Sequence, residues 1–264
     1  MKTNNKQNLL ISSSAKKTIR ESVLLAMELN TGIEISRIPF YGNKNATVKD
    51  VVDVLKKDLD GFDNRITLHA MFSDLNVAGQ DPLLREICEI RNRQSLEVGK
   101  ALGVDTILFH TGNKGTRHYG SQEKFKERFV SYWKEFIKEF EGTGITVVIE
   151  NVFEESKNYC YDLFKEINSP NLKLALDVGH VNLYAHNTNV LDWIKLYGKD
   201  LYHMHLHNNF RTNDDHSNFE NGTLDFNEIL TTIKEANINP SFVLEMYKEE
   251  DVRKSIEFFK KIMN

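Results

Sequence analysis

Eight short runs of apolar and β-branched residues recur along this chain, and each is followed by a charged segment with helical spacing. Continuous apolar runs of this length are typical of parallel strands that are buried on both faces. The alternation of strand and helix places the chain in the α/β class. The predicted strands cover residues 9–13, 33–38, 66–72, 106–111, 146–152, 172–178, 201–207 and 241–247.

The helical segments are recognised by apolar side chains that recur three or four residues apart. They predict helices over residues 17–30, 48–59, 81–102, 122–140, 161–167, 190–196, 226–236 and 251–262. The third helix has the clearest ends, because Asp81 suits an N-cap, Pro82 the first helical position and Gly103 the helix end.

Eight strand–helix units without an intervening linker predict one domain, residues 1–264, folded as a (β/α)8 TIM barrel. The length of 264 residues fits the usual size of that barrel. The alternative is a doubly wound open sheet. It is disfavoured because the segment SSSAKKT, rather than a glycine-rich dinucleotide fingerprint, follows the first predicted strand.

Net charge and cysteine content exclude several classes of protein. The chain has 34 basic and 38 acidic side chains, and its net charge of −4 disfavours a nucleic-acid coat protein, although a local basic groove is compatible with it. The only two cysteines, Cys88 and Cys160, exclude a disulfide scaffold and favour a reducing compartment. No apolar run approaches the ~20 residues of a membrane span, and the N-terminus lacks the apolar stretch of a signal peptide. We therefore expect a cytoplasmic protein without a membrane partner.

Polar residues of two types stand at the ends of the predicted strands. In a TIM barrel, side chains at the C-terminal strand ends converge on one mouth, where the chemistry takes place. The run ends carry His69, His110, Glu150, Asp177, His205 and Glu245. A second set lies just downstream and comprises His180, His207, Asp214 and His216. Carboxylates and imidazoles together suit zinc, manganese, iron or cobalt.

The three acids at strand ends distinguish a metal site from a purely structural role for these residues. A lone histidine near a strand end is more often a structural hydrogen-bonding group than a ligand. Glu150, Asp177 and Glu245, however, each end an apolar run, where an unpaired charge is costly to bury. No lysine or arginine is adjacent to any of them in sequence, so a metal cluster explains all three together. His203 shares a strand face with His205 and is expected to point inward as a structural or substrate-contacting group.

These residues lie in motifs that resemble those of the xylose-isomerase-like barrel superfamily. That group contains sugar isomerases, ketose 3-epimerases, inositol-catabolism enzymes and apurinic endonucleases of the endonuclease IV type. The matching stretches, between Leu68 and Tyr247, are LHAMFSDLN, ILFHTG, VVIENV, LALDVGH, HMHLHNN, DDH and VLEMY. The pair LALDVGH and HLHNN, followed by DDH, is the most specific part. Two departures are Asn208, where relatives commonly have Asp, and ENG at residues 220–222, where a GxG turn is common.

The resemblance implies a divalent-metal-dependent sugar or sugar-phosphate isomerase or epimerase. Proton transfer would pass through an enediolate that the metal stabilises, with Glu150 and Glu245 as the catalytic acid–base pair. The implied metal ligands are Glu150, Asp177, His205 and Glu245. The expected substrate contacts are His180, His207 and Arg211. A homo-oligomer is compatible with this assignment, because dimers and tetramers are common in the resembling group.

The same residues are similar to the trinuclear zinc site of the endonuclease IV type, so one to three ions are expected. The nine matching positions are His69, His110, Glu150, Asp177, His180, His205, Asp214, His216 and Glu245. This alternative, a phosphodiesterase acting on abasic DNA, needs a basic rim. The candidates for that rim are Arg37, Tyr41, Lys44, Lys114, Arg117, His118 and Tyr119. The net charge of −4 and the loop MFSDLNVAGQDP, which lacks lysine and arginine, favour the sugar enzyme. A barrel that binds metal or sugar without turnover is a third possibility.

Overall fold

The eight apolar runs form eight parallel strands that close into a barrel in sequence order. The computed structural model describes residues 8–40, 43, 45–113 and 122–263. The strands are β1 (Leu9–Ser12), β2 (Gly32–Ile35), β3 (Ile66–His69), β4 (Thr106–His110), β5 (Thr146–Glu150), β6 (Leu172–Asp177), β7 (Leu201–Leu206) and β8 (Ser241–Leu244). Closure is made by β1 and β8, in which Leu10 is aligned with Val243. The predicted TIM barrel is confirmed, and the open doubly wound sheet is wrong because the first and last strands pair.

Helices follow the strands and cover the outside of the barrel. They are α1 (Ile19–Leu29), α2 (Val48–Asp58), α3 (Pro82–Leu102), α4 (Gln122–Phe136), α5 (Lys157–Ile167), α6 (Val178–Tyr184), α7 (Val190–Tyr197), α8 (Phe226–Glu235) and α9 (Glu249–Met263). Short 3-10 turns follow α4 at Ile137–Phe140 and α7 at Gly198–Asp200. As predicted, Asp81 caps α3 by accepting a hydrogen bond from the Leu83 amide, and Gly103 ends the helix in a left-handed conformation.

All eight predicted strands and all eight predicted helices are found in the predicted order, with differences at their ends and one additional helix. The predicted strands run one to three residues past the observed ends, because the polar residues that follow them belong to the mouth loops. The short helix α6 was not predicted. It begins directly after β6 because the Asp177 carboxylate accepts a hydrogen bond from the His180 amide at 2.7 Å and so caps the helix.

Alternation along each strand decides which residues line the barrel interior. Outward residues such as Ile11, Ile33 and Ile35 pack with the helices in the main core. Inward residues of neighbouring strands share a register, as Ser12 does with Glu34, and Glu34 with Thr67. A small apolar cluster of Leu108, Val148 and Ala175 occupies the interior on the side of β4, β5 and β6. Each of these three lies two residues before a strand-end ligand candidate, so they form an apolar floor beneath the polar mouth.

Two further expectations concern the surface and the cysteines. Both cysteines are buried with free thiols, which agrees with the exclusion of a disulfide scaffold. Within the described ranges, the helices include none with the length and apolar character of a membrane span.

Candidate functional site

Four side chains at the barrel mouth surround one point. His205 Nδ1 lies 2.7 Å from Glu150 Oε1, 3.1 Å from Glu245 Oε2 and 3.8 Å from Asp177 Oδ2. Glu150 and Asp177 are the last residues of β5 and β6, and Glu245 directly follows β8. The barrel closure therefore brings together residues that are up to 95 positions apart in sequence (245 − 150). We call these four residues the central group.

The donor atoms of the central group fit a divalent cation. Both Glu150 oxygens and His205 Nδ1 are buried and make no hydrogen bond of acceptable geometry, despite their short separations. Among the described residues, every ion-pair partner of these three carboxylates is a histidine. Buried carboxylates without lysine or arginine partners are stabilised well by a metal, and mixed imidazole and carboxylate donors suit zinc or manganese.

Two further groups flank the central group. On the side of β3 and β4, His110 Nε2 lies 3.0 Å from His69 Nε2 and 2.8 Å from Glu150 Oε2. On the side of α6, Asp214 Oδ2 lies 3.4 Å from His180 Nε2 and 3.1 Å from His216 Nε2. The structure thus brings all nine predicted ligand positions into one contiguous cluster, which Glu245 joins through its contacts with His205 and His216, and Glu150 is shared between the central group and the β3–β4 group.

At most of these groups, the charges of neighbouring side chains shift the pKa more than burial does. Burial lowers the pKa of His205, but the carboxylates of Glu150, Glu245 and Glu34 hold that pKa well above its usual range. Burial raises the pKa of Glu245, yet the imidazoles of His205 and His216 bring it to about 2. His69 behaves oppositely, because burial and the neighbouring His110 lower its pKa to about 4. A neutral His69 and ionised carboxylates are the forms that bind metals.

The titration of His216 gives a prediction for protein kept in chelator. Burial disfavours the imidazolium, but a hydrogen bond with Asp214 and the charge of Glu245 raise its pKa from 6.5 to about 9. A raised histidine pKa contributes stability below pH 6.5, and this contribution is lost as pH rises through 9. We expect the melting temperature of the metal-free protein to fall between pH 6.5 and 9. A His216→Asn variant should show a shallower fall, and an equally steep fall in that variant would contradict the assignment to His216.

Glu34 on β2 belongs to the site and was not among the residues predicted from the sequence. Its carboxylate is buried and lies 2.8 Å from His205 Nε2 and 3.0 Å from His203 Nε2. Thr67 donates its hydroxyl to the same carboxylate at 3.0 Å. The available signal was an acid inside a short, otherwise apolar strand, GIEI. Glu34 lies inside its strand, whereas the sequence predicts metal ligands only at strand ends or just beyond them.

His203 and His207 both point into the barrel, as the alternation with His205 predicted. His203 Nδ1 lies 2.8 Å from the Ser241 hydroxyl, at the level of Glu34. His207 is completely buried, and its Nε2 lies 3.1 Å from Asp177 Oδ2. Its ring stacks on His216 with centroids 3.9 Å apart. Seven of the nine histidines of the chain thereby lie at the mouth or in the layer directly beneath it: His69, His110, His180, His203, His205, His207 and His216.

A cavity of about 330 Å³ opens beside the cluster. Its lining includes the candidate ligands His110, His180 and Asp214, and the half-exposed rings of Phe72 and Phe153. The described residues that line it include no lysine or arginine. The cavity is large enough to hold a monosaccharide over the candidate ligands.

The structure describes only some of the loop residues that were predicted to contact substrate or DNA. Arg211 is exposed in a left-handed backbone conformation, and its Nε donates to Asn182 Oδ1 at 2.9 Å. Arg37 is also exposed, and its guanidinium donates to the carbonyls of Lys17 and Ser14. The remaining members of the predicted basic rim lie outside the described residues. They are Tyr41, Lys44, Lys114, Arg117, His118 and Tyr119.

A comparison with protein-family models decides the family. The description of the matching model is "Xylose isomerase-like TIM barrel", and it matches residues 29–262. The chain belongs to this family. The resemblance drawn from LALDVGH, HLHNN and DDH is confirmed, and the family match covers most of the barrel.

Three proteins of similar sequence or structure are informative. The uncharacterized protein MJ1311 of Methanocaldococcus jannaschii is 25% identical over 210 residues, which cover 77% of this chain and 72% of that protein. A D-tagatose 3-epimerase-like protein has a TM-score of 0.82 at 23% identity, covering 97% of this chain and 96% of that chain. A protein from Thermus thermophilus, TTHB071, soaked with ZnCl2, has a TM-score of 0.79 at 19% identity over 97% of each chain. At these identities the two structural matches show a shared fold.

Asn208 departs from the family pattern, and the structure gives it a structural role. Its amide is completely buried and donates to the carbonyls of Phe219 and Leu224 at 2.9 and 3.1 Å. Its oxygen accepts from the amides of Asn209 and Leu224, both at 3.0 Å. Gly222 packs directly on it, since a Cβ there would lie 2.2 Å from Asn208 Oδ1. This asparagine therefore organises the loop that carries Asp214 and His216.

Asn208→Asp, which restores the common family residue, is expected to destabilise this protein. The carboxylate would lose both donors and face two carbonyl oxygens without a partner, which costs at least about 1–3 kcal/mol. We expect a clear fall in the melting temperature. The matched control is Asn221→Asp on the same loop, an exposed position where little change is expected. Equal stability of Asn208→Asp and wild type would contradict this role.

Proposed function

We propose that this protein is a divalent-metal-dependent isomerase or epimerase of a sugar or sugar phosphate. The observation that carries the proposal is the central group, in which two carboxylates from β5 and the end of β8 flank His205 Nδ1 within 3.1 Å. The same residues were expected as metal ligands and as the acid–base pair. Similarity in fold to a D-tagatose 3-epimerase-like protein supports this reaction class.

The residues of the mouth have distinct roles in such a reaction. A divalent cation bound by Glu150, Asp177, His205 and Glu245 would supply Lewis acidity toward the oxygens of the substrate. Glu150 and Glu245 approach the site from β5 and from the end of β8. One carboxylate takes a proton from carbon, and the other returns a proton to the opposite face, which inverts the centre. Although burial raises their pKa values, the charge of His205 holds both carboxyl groups ionised in the resting site, so the group that returns the proton must first take one from solvent.

The surroundings of the cavity favour a sugar as the substrate. Phe72 and Phe153 present rings on which the C–H face of a sugar can pack. His180 lines the cavity and is proposed to orient substrate hydroxyls. Arg211, which lies outside this lining and donates to Asn182, is proposed to contact the substrate from the loop after β7, and the buried His207 to hold Asp177 in place. Phe72 also packs on the rings of His69 and His110, with centroids 4.8 and 4.7 Å away. Because the rings of Phe72 and Phe153 are partly exposed and line the cavity, loss of either ring is expected to affect substrate binding more than folding.

The test is a panel of ketoses and ketose phosphates incubated with protein loaded with manganese or zinc. We expect conversion of at least one member to its C3 epimer or aldose isomer, with solvent deuterium incorporated at the inverted carbon. Deuterium incorporation separates proton transfer from other routes to the same product. Turnover of no member, together with cleavage of another substrate class by the same preparation, would contradict the proposal.

A phosphodiesterase acting on abasic DNA is the second candidate. The observation that favours it is the pair of flanking groups, which extends the central group to nine converging residues. The test is nicking of an abasic duplex by zinc-loaded protein. Nicking that is lost in Glu150→Gln would reverse the order of the two candidates.

A further inference from the structure

The interior of the barrel contains a buried hydrogen-bonded network directly beneath the central group. Its centre is Glu34, whose two oxygens face His205 and His203, with Thr67 as a third donor. Ser241 continues the network from His203 toward the carbonyl of Tyr202. Glu34, Thr67 and His203 are all fully buried. Glu34, Thr67 and Ser241 were not among the residues expected from the sequence to bind metal or substrate.

The protonation of His205 follows from its position between two sets of carboxylates. Ionised carboxylates only accept hydrogen bonds, so the proton on the His205 ring toward Glu34 must be on Nε2. A histidine that binds a metal is neutral, and a neutral ring with its proton on Nε2 has its lone pair on Nδ1. Nδ1 is the atom that faces Glu150, Glu245 and Asp177. Glu34, on the interior side of the ring, thus determines that Nδ1 is the nitrogen available to a metal at the mouth.

We infer that Glu34 is a positioning residue that fixes the Nε2–H tautomer and the orientation of His205, so that Nδ1 is presented to the metal. The inference rests on the metal site of the proposed function. It does not require the substrate to be a sugar. Carboxylate partners of this kind commonly raise metal affinity about 10–100-fold.

Glutamine cannot replace Glu34 in this network. A carboxylate accepts from both imidazoles at once, whereas glutamine has one acceptor oxygen and one amide donor. Thr67 and His203 both donate to Oε2 of Glu34, so the single acceptor oxygen of glutamine is expected on that side and its N–H donor would face Nε2–H of His205. That histidine must change tautomer or turn away. A change at His205 removes the lone pair from Nδ1, and the metal loses its nitrogen ligand.

The test compares Glu34→Gln with a control from the same buried layer. Ser241→Ala removes the partner of His203 and leaves the bond between Glu34 and His205 in place. Zinc affinity is measured on folded, metal-free protein by competition with a chromophoric chelator. We expect affinity to fall about 10–100-fold in Glu34→Gln and to change less than about twofold in Ser241→Ala. Wild-type affinity in folded Glu34→Gln would overturn the inference, and so would an equal loss in both variants.

A second measurement needs no variant and therefore does not depend on folding of Glu34→Gln. Wild-type protein labelled with 15N-histidine and loaded with zinc is examined by long-range 1H–15N correlation. We expect His205 to show a protonated Nε2 and a metal-bound Nδ1, and a protonated Nδ1 would overturn the inference. Neither readout uses turnover. A protein that binds zinc in this way and converts no ketose would retain the role of Glu34 and contradict only the sugar-enzyme proposal.

Discussion

Glu150→Gln and Glu245→Gln are each expected to lower turnover by at least about 10²–10⁴-fold while the protein stays folded. Either substitution removes a carboxylate that lies within 3.1 Å of His205 Nδ1, and glutamine neither transfers the proton nor binds a metal as strongly. Glu150 has the larger expected effect, because it also lies 2.8 Å from His110 and is shared with a flanking group. The measurement is kcat and KM for the best substrate of the panel.

The matched control is Glu155→Gln, which makes the same chemical change on an exposed position after β5. It should retain wild-type kcat and melting temperature. Circular dichroism distinguishes loss of function from loss of fold in the two site variants. Full activity in either Glu150→Gln or Glu245→Gln would contradict the acid–base assignment of that residue.

Removal of bound metal is expected to abolish turnover and to lower the melting temperature. A cation present at 100 times its dissociation constant stabilises the folded state by about 2.7 kcal/mol. For a domain of this size that stabilisation corresponds to roughly 5–10 °C. Differential scanning calorimetry with and without a chelator measures the shift. Without the cation, the three carboxylates of the central group are left with histidine partners among the described residues.

The recovery of stability and turnover when metals are added back tests which ions the donor atoms of the site prefer. Zinc or manganese should restore both stability and turnover, because an imidazole with carboxylates suits these ions. Magnesium should restore less, since it prefers an all-oxygen shell and retains its waters. An unchanged melting temperature and unchanged turnover after exhaustive chelation would contradict a metal site at the mouth.

The sequence was informative about the site because a parallel barrel makes strand ends equivalent. An acid or histidine at the end of an apolar run must lie at the mouth, so His69, His110, Glu150 and Asp177 could be placed without knowing any distance. The alternation in YHMHLH likewise placed His203, His205 and His207 on one inner face. The family motifs then restricted the roles of these residues.

Other parts of the site depend on contacts that no local pattern reveals. Glu34 meets His203 and His205 across 169 and 171 positions of sequence, and only barrel closure brings them together. The role of Asn208 depends on two carbonyls, those of Phe219 and Leu224, whose loop has no periodic pattern. Helix α6 was missed because its N-cap, Asp177, was interpreted only as a strand end and a ligand.

Anomalous scattering from crystals of untreated protein tests the central claim most directly. We predict at least one peak within about 2.0–2.3 Å of the donor atoms of Glu150, Asp177, His205 and Glu245. A single peak favours the sugar enzyme, and three peaks, with the others at the His69–His110 and His180–His216 sides, favour the phosphodiesterase. An active protein with no peak, and with these imidazoles and carboxylates in direct contact, would contradict the account.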